Sequence, residues 1–255
     1  MKPKVLILRT AGTNCDKETE FAFTNAGAKT YLEHINYIKC HTRLEDYQII
    51  AIPGGFSYGD DLGAGKIFSL ELLLWLKDAL RVFIDRGGLA IGICNGFQVM
   101  VKTGMLPDTD FTQKVTLTFN DSGRFEDRWT YVKVSQPKAS AVNIWLKDLP
   151  SVINLPVAHG EGKFYASEKI LDTIQNNGQI VLQYCDSAGK PAGYPFDPNG
   201  SCRHIAGITD ATGRIFGLMP HPERFIFKHH WPHWKEGERP AYGLKIFENS
   251  VAYFT

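Results

Sequence analysis

Short apolar, β-branched runs alternate along this chain with longer stretches whose apolar positions recur at helical spacing. Residues 5–8, 48–52 and 89–93 read as strands, and residues 16–26, closing at Gly27, read as a helix. Residues 70–86 read as a second helix, closed by Gly87-Gly88 before the 89–93 strand. This rhythm predicts βαβ units, and so a parallel sheet covered on both faces. Further along, residues 115–119, 131–135 and 180–184 lie between turn-rich pieces and predict antiparallel strands added to that sheet. Strands at 204–209 and 215–219 and a last helix at 242–253 complete the pattern. Residues 186–201, dense in Gly, Pro and Asn, predict an ordered surface loop. No repeat, low-complexity tract or linker divides the chain, so the expectation is one α/β domain over residues 1–255. Its predicted architecture is a mostly parallel open sheet with helices on both faces and added antiparallel strands.

One position stands out against this pattern. The apolar run Leu89-Ala90-Ile91-Gly92-Ile93 breaks at Cys94 into Asn95-Gly96-Phe97-Gln98 and a helical stretch to Thr103, which reads as strand, sharp turn and helix. Ligands of open parallel sheets bind beyond the carboxyl ends of the strands, where both Cys94 and Pro53-Gly54-Gly55 fall. A thiol at that corner sits before a helix N-terminus, whose unpaired N–H groups and partial positive charge favour a nucleophilic sulfur. Most free cysteines are small buried hydrophobes, and the flanking Gly92 and Gly96 are what set this one apart.

Composition narrows the setting. The chain has 255 residues, 44% hydrophobic and 22% charged, enough to bury a full core. A formal net charge of +1 provides no basic field for nucleic acid. The five cysteines, at 15, 40, 94, 185 and 202, are odd in number, and no pair has zinc-finger or redox spacing, so reduced thiols in a cytoplasmic setting are expected. The apolar run at the N-terminus is too short for a signal peptide, and no stretch suits a membrane span.

A thiol acting on an amide or ester needs an imidazole as acid and base, and a carboxylate to orient it. Two dyads compete. His221-Pro222-Glu223 follows the 215–219 strand, and Pro220 and Pro222 bias Met219 and His221 toward extended backbone, which points His221 and Glu223 the same way. His159-Gly160-Glu161-Gly162 has the same spacing, but its glycines leave orientation loose, so His221 and Glu223 are favoured. For an oxyanion hole the candidates are the N–H groups of Gly55 and of Asn95, the residue after the nucleophile. Two tempting motifs fail. Residues 59–67 resemble a phosphate loop, but the outer glycines are one residue too far apart and Ile67 replaces the magnesium-binding hydroxyl. His229, His230 and His233 lack a Cys or acid at useful spacing, so no metal site is expected there, and with Trp231 and Trp234 they predict an aromatic surface loop.

Taken together, Pro53-Gly54-Gly55, Gly92-Ile93-Cys94-Asn95-Gly96-Phe97-Gln98 and His221-Pro222-Glu223 resemble the three signatures of class I, triad-type glutamine amidotransferase domains, with their flavodoxin-like architecture. The stretches PGGFSYGDDLGAGKI, NDSGRFEDRW, AHGEGKFY, YCDSAGKPAGYPFDPNGS, IAGI and MPHPERF extend the resemblance over nearly the whole chain. They narrow it to the family of glutaminase subunits of phosphoribosylformylglycinamidine synthase. The resemblance implies that Cys94 attacks the carboxamide of glutamine, that His221 shuttles the proton, and that Glu223 orients it. It further implies Gly55 and Asn95 as oxyanion donors, Gly54, Phe56 and Gln98 as pocket residues, and Arg124 and Phe125 as contacts to the glutamine backbone. It implies no cofactor in this subunit, with ATP and magnesium in a partner synthase that receives the ammonia and aminates formylglycinamide ribonucleotide in purine synthesis; a third small bridging subunit is left open. Residues 227–240 look longer than a minimal glutaminase needs, and Trp231 and Trp234 are expected to be exposed there to meet the synthase. The rivals are a cysteine peptidase or stress-response protein on a similar sheet, and a binding module with a silent triad.

Overall fold

Strands with no polar position must be covered on both sides, and three of them form the centre of the sheet. The computed structural model describes residues 2–41, 43–135, 144–237 and 240–255. In chain order, β1 (Lys4–Arg9), α1 (Asp16–Asn25), β2 (Lys29–His34), α2 (Ile35–His41) and β3 (Ile49–Ile52) lead to the helices α3 (Lys66–Trp75) and α4 (Lys77–Asp85). Then come β4 (Leu89–Ile93), α5 (Asn95–Thr103), β5 (Thr116–Thr118), β6 (Glu126–Val134), β7 (Val152–His159) and β8 (Lys163–Tyr165). The chain finishes with α6 (Glu168–Asn176), β9 (Ile180–Cys185), β10 (Ile205–Thr209), β11 (Ile215–Leu218) and α7 (Tyr242–Ala252). Among the described residues the main sheet has nine strands in the order β2-β1-β3-β4-β11-β10-β9-β6-β7. The half from β2 to β11 is parallel, and the half from β11 to β7 is antiparallel. Strands β3, β4 and β11 read IIAI, LAIGI and IFGL and are buried at every position, as central strands under helices on both faces must be.

The expected α/β fold is present, with four differences that have physical causes. The predicted helix at 70–86 is two helices, α3 and α4. Leu76 between them leaves helical geometry (φ −127°, ψ 2°) while remaining buried, so packing makes a break that no Gly or Pro announces. The strand predicted at 115–119 does not join the main sheet; β5 pairs instead with β8, placing buried Leu117 opposite buried Phe164, which stacks on Phe97 of α5. The loop at 186–201 is a surface loop only in its first part. At its end Asp197 is buried and accepts hydrogen bonds from the Asn199 and Gly200 N–H groups, while Asn199 donates to the Gly162 carbonyl. Finally β7, the half-buried β2, α2, β8 and α6 have no counterpart in the predicted pattern. β7 contains Pro156, which argues against a central strand, and β7 is indeed an edge.

The segment after the His-Pro-Glu motif corrects a further expectation. Trp231 is not presented to solvent: it is buried and packs edge-on against Trp129 of β6, with ring centroids 4.7 Å apart, and lies beside Phe225. Of the two tryptophans proposed to face a partner, Trp234 alone is exposed, at 42%; Glu238 and Arg239 of that loop lie outside the described residues. Truncating Trp231 to Ala should therefore destabilise the fold by about 3 kcal/mol or more, as removal of a packed aromatic does, and Trp234→Ala by less than about 0.5 kcal/mol. Denaturant unfolding of the two variants measures both.

Candidate active site

Strand β4 ends where the chain turns sharply into α5, and Cys94 occupies the turn with φ 52° and ψ −106°, a conformation that only a firmly held backbone retains. Its N–H donates to the Leu218 carbonyl at the end of β11 (2.8 Å), which ties the corner to the neighbouring strand. Helix α5 starts flush against β3, since a Cβ on Gly96 would lie 1.8 Å from the Ile52 carbonyl oxygen. Asn95, in the first turn, has no helical acceptor for its N–H. Its side chain accepts from the Ser57 N–H (3.2 Å) and donates to Gln98 Oε1 (2.9 Å) and Asp60 Oδ1 (3.1 Å).

β11 delivers the partner. The chain leaves it through Met219 and Pro220, and His221 and Glu223 point together, as their spacing predicts. His221 Nδ1–H donates to Glu223 Oε1 at 2.6 Å, with both side chains essentially sealed from solvent. Burial alone would lower the pKa of this imidazole, but the Glu223 carboxylate and the adjacent Cys94 sulfur outweigh it and hold the ring protonated well above the ordinary range. The other ring nitrogen, Nε2, is buried and has no hydrogen-bond partner, on the side where Cys94 stands. Gly54 makes this proximity possible: a Cβ there would lie 2.8 Å from His221 Cε1 and 3.4 Å from Cys94 Cβ.

A cavity of about 220 Å³ opens beside Cys94, lined by Gly55, Phe56, Gln98, Phe125 and His159 among others. Phe56 and Phe125 are half exposed and face each other across it with centroids 6.2 Å apart. Gln98 is fixed as a wall residue, its Nε2 donating to the Glu161 carbonyl (2.5 Å). Two of the expected pocket residues stand elsewhere. Arg124 is exposed and lines a separate, larger cleft with Tyr194, Asp197 and His204, because the chain reverses between it and Phe125. Gly54 lies behind the cavity, between Cys94 and His221, while Gly55 and Phe56 face it.

The second His-x-Glu motif is not a dyad. His159 Nδ1–H donates to Asn120 Oδ1 (3.1 Å), and the Glu161 carboxylate turns away toward the Ala64 N–H (3.4 Å). Buried almost fully and close to His221, His159 has its pKa pushed down to about 3. Asn120 knots this wall together, donating to the carbonyls of Arg124 and His159 and accepting from the Gly162 N–H. Neither Asn120 nor Cys15 was singled out by sequence reasoning. Cys15, at the start of α1, lies against the His221 imidazole and takes a hydrogen bond from Arg224 Nη2 (3.2 Å); burial first, and then Glu223, raises its pKa. Nothing in its sequence neighbourhood marks it, since His221 and Arg224 are more than 200 positions away.

A strand-end thiol beside an imidazole–carboxylate pair, at the carboxyl edge of an open parallel sheet, is an arrangement that acyl-transfer chemistry uses. The chain matches the CobB/CobQ-like glutamine amidotransferase domain over residues 2–254 and belongs to that family. It is 49% identical over 257 residues to the phosphoribosylformylglycinamidine synthase subunit PurQ of Dehalococcoides mccartyi, covering 99% of this chain and 98% of that one. The PurQ subunit of Methanococcus maripaludis is 44% identical, with 99% and 97% covered. Among solved structures, PurLQS from Thermotoga maritima superposes over both whole chains with a TM-score of 0.76 at 29% identity.

The buried neutral His159 has a consequence for acid stability. In the fold it protonates only near pH 3, whereas an unperturbed histidine in the unfolded chain does so near pH 6.5. Across that window the unfolded state binds more protons, so this group's contribution to stability falls as pH falls. His159→Gln should remove that slope: between about pH 7 and pH 5 it should lose about 2 kcal/mol less than the wild type in denaturant unfolding. The opposing contribution of His221 is common to both proteins and cancels in the comparison.

Proposed function

We propose that this chain is the glutaminase subunit of a phosphoribosylformylglycinamidine synthase, a cytoplasmic enzyme that releases ammonia from glutamine for a separate synthase subunit. The observation that carries the reading is the meeting of Cys94 and His221 at the ends of the adjacent parallel strands β4 and β11, with Glu223 already bonded to His221. With its proton passed to His221 Nε2, Cys94 Sγ attacks the side-chain carboxamide carbon of glutamine, and the oxygen becomes an oxyanion that the N–H groups of Gly55 and Asn95 receive. His221, protonated and oriented by Glu223, gives the Nε2 proton to the departing nitrogen, so the carbon–nitrogen bond breaks to ammonia and a γ-glutamyl thioester remains. His221 then takes a proton from water, hydroxide attacks the thioester, and glutamate leaves with the thiol restored. His159 has no place in this relay, because a ring that protonates only near pH 3 is too weak a base to take up a proton at neutral pH.

The carboxamide lies in the cavity against Gln98 and the Gly55-Phe56 turn, with Phe125 over its mouth. This subunit needs no cofactor; ATP and magnesium act in the synthase, which aminates formylglycinamide ribonucleotide. The relatives support that division, being named as synthase subunits, and so does the residue 59–67 segment. Instead of cradling a phosphate it turns inward, with the Gly65 N–H donating to Asp60 Oδ1 (3.3 Å) and Asp60 and Ala64 lining the Cys94 cavity.

Glutamate release from glutamine, measured with and without the synthase, tests the assignment. Cys94→Ser should lower glutamine-dependent turnover by at least about 10³-fold while the assembled complex still uses free ammonia. His221→Ala should behave likewise. Loss of turnover in His159→Ala with retention in His221→Ala would overturn the assignment.

A further inference from the structure

The hydrolytic sequence leaves one group beside its imidazole unused. Cys15 is buried at 1% exposure, and its sulfur, a ring nitrogen of His221 and a carboxylate oxygen of Glu223 all lie within 4.8 Å of one another. Cys94 completes the ring of donors: the Cβ position of Gly54 is 3.3 Å from Cys15 Sγ and 3.4 Å from Cys94 Cβ, so the two thiols flank the same imidazole. The donor atom His221 Nε2 is buried without a hydrogen-bond partner.

We propose that Cys15, Cys94 and His221 Nε2 form a binding site for a soft divalent cation, zinc in particular, and that zinc held there arrests the enzyme. Thiolates and an imidazole are donors that zinc selects, and the Glu223 carboxylate on the far ring nitrogen is the support that a zinc-bound imidazole uses. Tetrahedral bonds of about 2.0 to 2.3 Å place ligand atoms about 3.3 to 3.8 Å apart, and a fourth position is left for water. Charge also balances. Zinc with the Arg224 guanidinium, which already donates to Cys15 Sγ, offsets two thiolates and the Glu223 carboxylate, and binding releases two protons, one from Cys15 and the one that Cys94 and His221 share. The ion enters through the glutamine cavity that Cys94 lines. Arrest follows because the ion takes the nucleophilic sulfur and the nitrogen that moves the proton. The inhibitory consequence rests on the glutaminase reading above; the binding itself does not.

The test uses the full chain and zinc competed against a chromophoric chelator, which needs no activity. The wild type should take up one equivalent, and Cys15→Ser should bind at least about tenfold more weakly. Cys40→Ser, which removes an exposed thiol, should bind as the wild type does. Zinc should also raise the melting temperature of the wild type and leave that of Cys15→Ser unmoved, a comparison that shows the variant is folded. Glutaminase activity, each protein scaled to its own zinc-free rate, should fall in zinc, return with EDTA, and be at least about tenfold less sensitive in Cys15→Ser. Equal zinc affinity in wild type and Cys15→Ser, or no stoichiometric uptake, overturns the proposal. Zinc uptake that depends on Cys15 in a chain that does not hydrolyse glutamine would uphold the site and sink the glutaminase reading instead.

Discussion

Everything at this site depends on a lack of space between the ends of three strands. Helix α5 can begin where it does only because Gly96 puts a hydrogen where any other residue would drive a Cβ into the Ile52 carbonyl of β3. Gly92, one strand away, would in turn meet the Gly96 carbonyl at 2.6 Å. Between them Cys94 has no relaxed backbone conformation available and sits at a positive φ, a strain of about 1–3 kcal/mol that the fully buried parallel strands on either side hold in place. The thiol's position is thus a consequence of helix-to-sheet contact, and the histidine reaches it because Gly54 leaves room for the ring.

The same crowding sets the electrostatics. An imidazole and a carboxylate sealed from water are tolerable only as a bonded pair, and removing either from such a pair costs about 3–5 kcal/mol because the other is left charged and unmatched. His221 and Glu223 satisfy that condition on a two-residue spacing, whereas His159, with no carboxylate in reach, answers burial by staying neutral. Two histidines in one small volume are therefore driven in opposite directions by what lies beside Nδ1, a carboxylate in one case and an amide oxygen in the other.

The parts of this arrangement that were legible in the sequence are those with a local cause. Glycines at 54, 92 and 96 mark close approach, the prolines at 220 and 222 fix the direction of His221, and unbroken apolar runs mark covered strands. The sequence also separated His221 from His159 by backbone stiffness alone. What escaped it depends on distant partners. The break at Leu76, the pairing of β5 with β8, the buried lodging of Trp231 against Trp129, and the approach of Cys15 to the His221 imidazole have no local signal. β7 was concealed by its own proline, since Pro156 suits only an edge strand.

That edge strand reaches Cys94 and His221 from the far end of the sheet. The His221 N–H donates to the Pro156 carbonyl (2.8 Å), and the Ala158 carbonyl stands 3.7 Å from Cys94 Sγ. Edge strands are among the first parts of a sheet to open in native-state fluctuations, and β7 is paired on one side only. A displacement of β7 from its place breaks the bond from His221 N–H to Pro156 together with the β6–β7 ladder, so hydrogen exchange along this ladder reports on the wall behind His221.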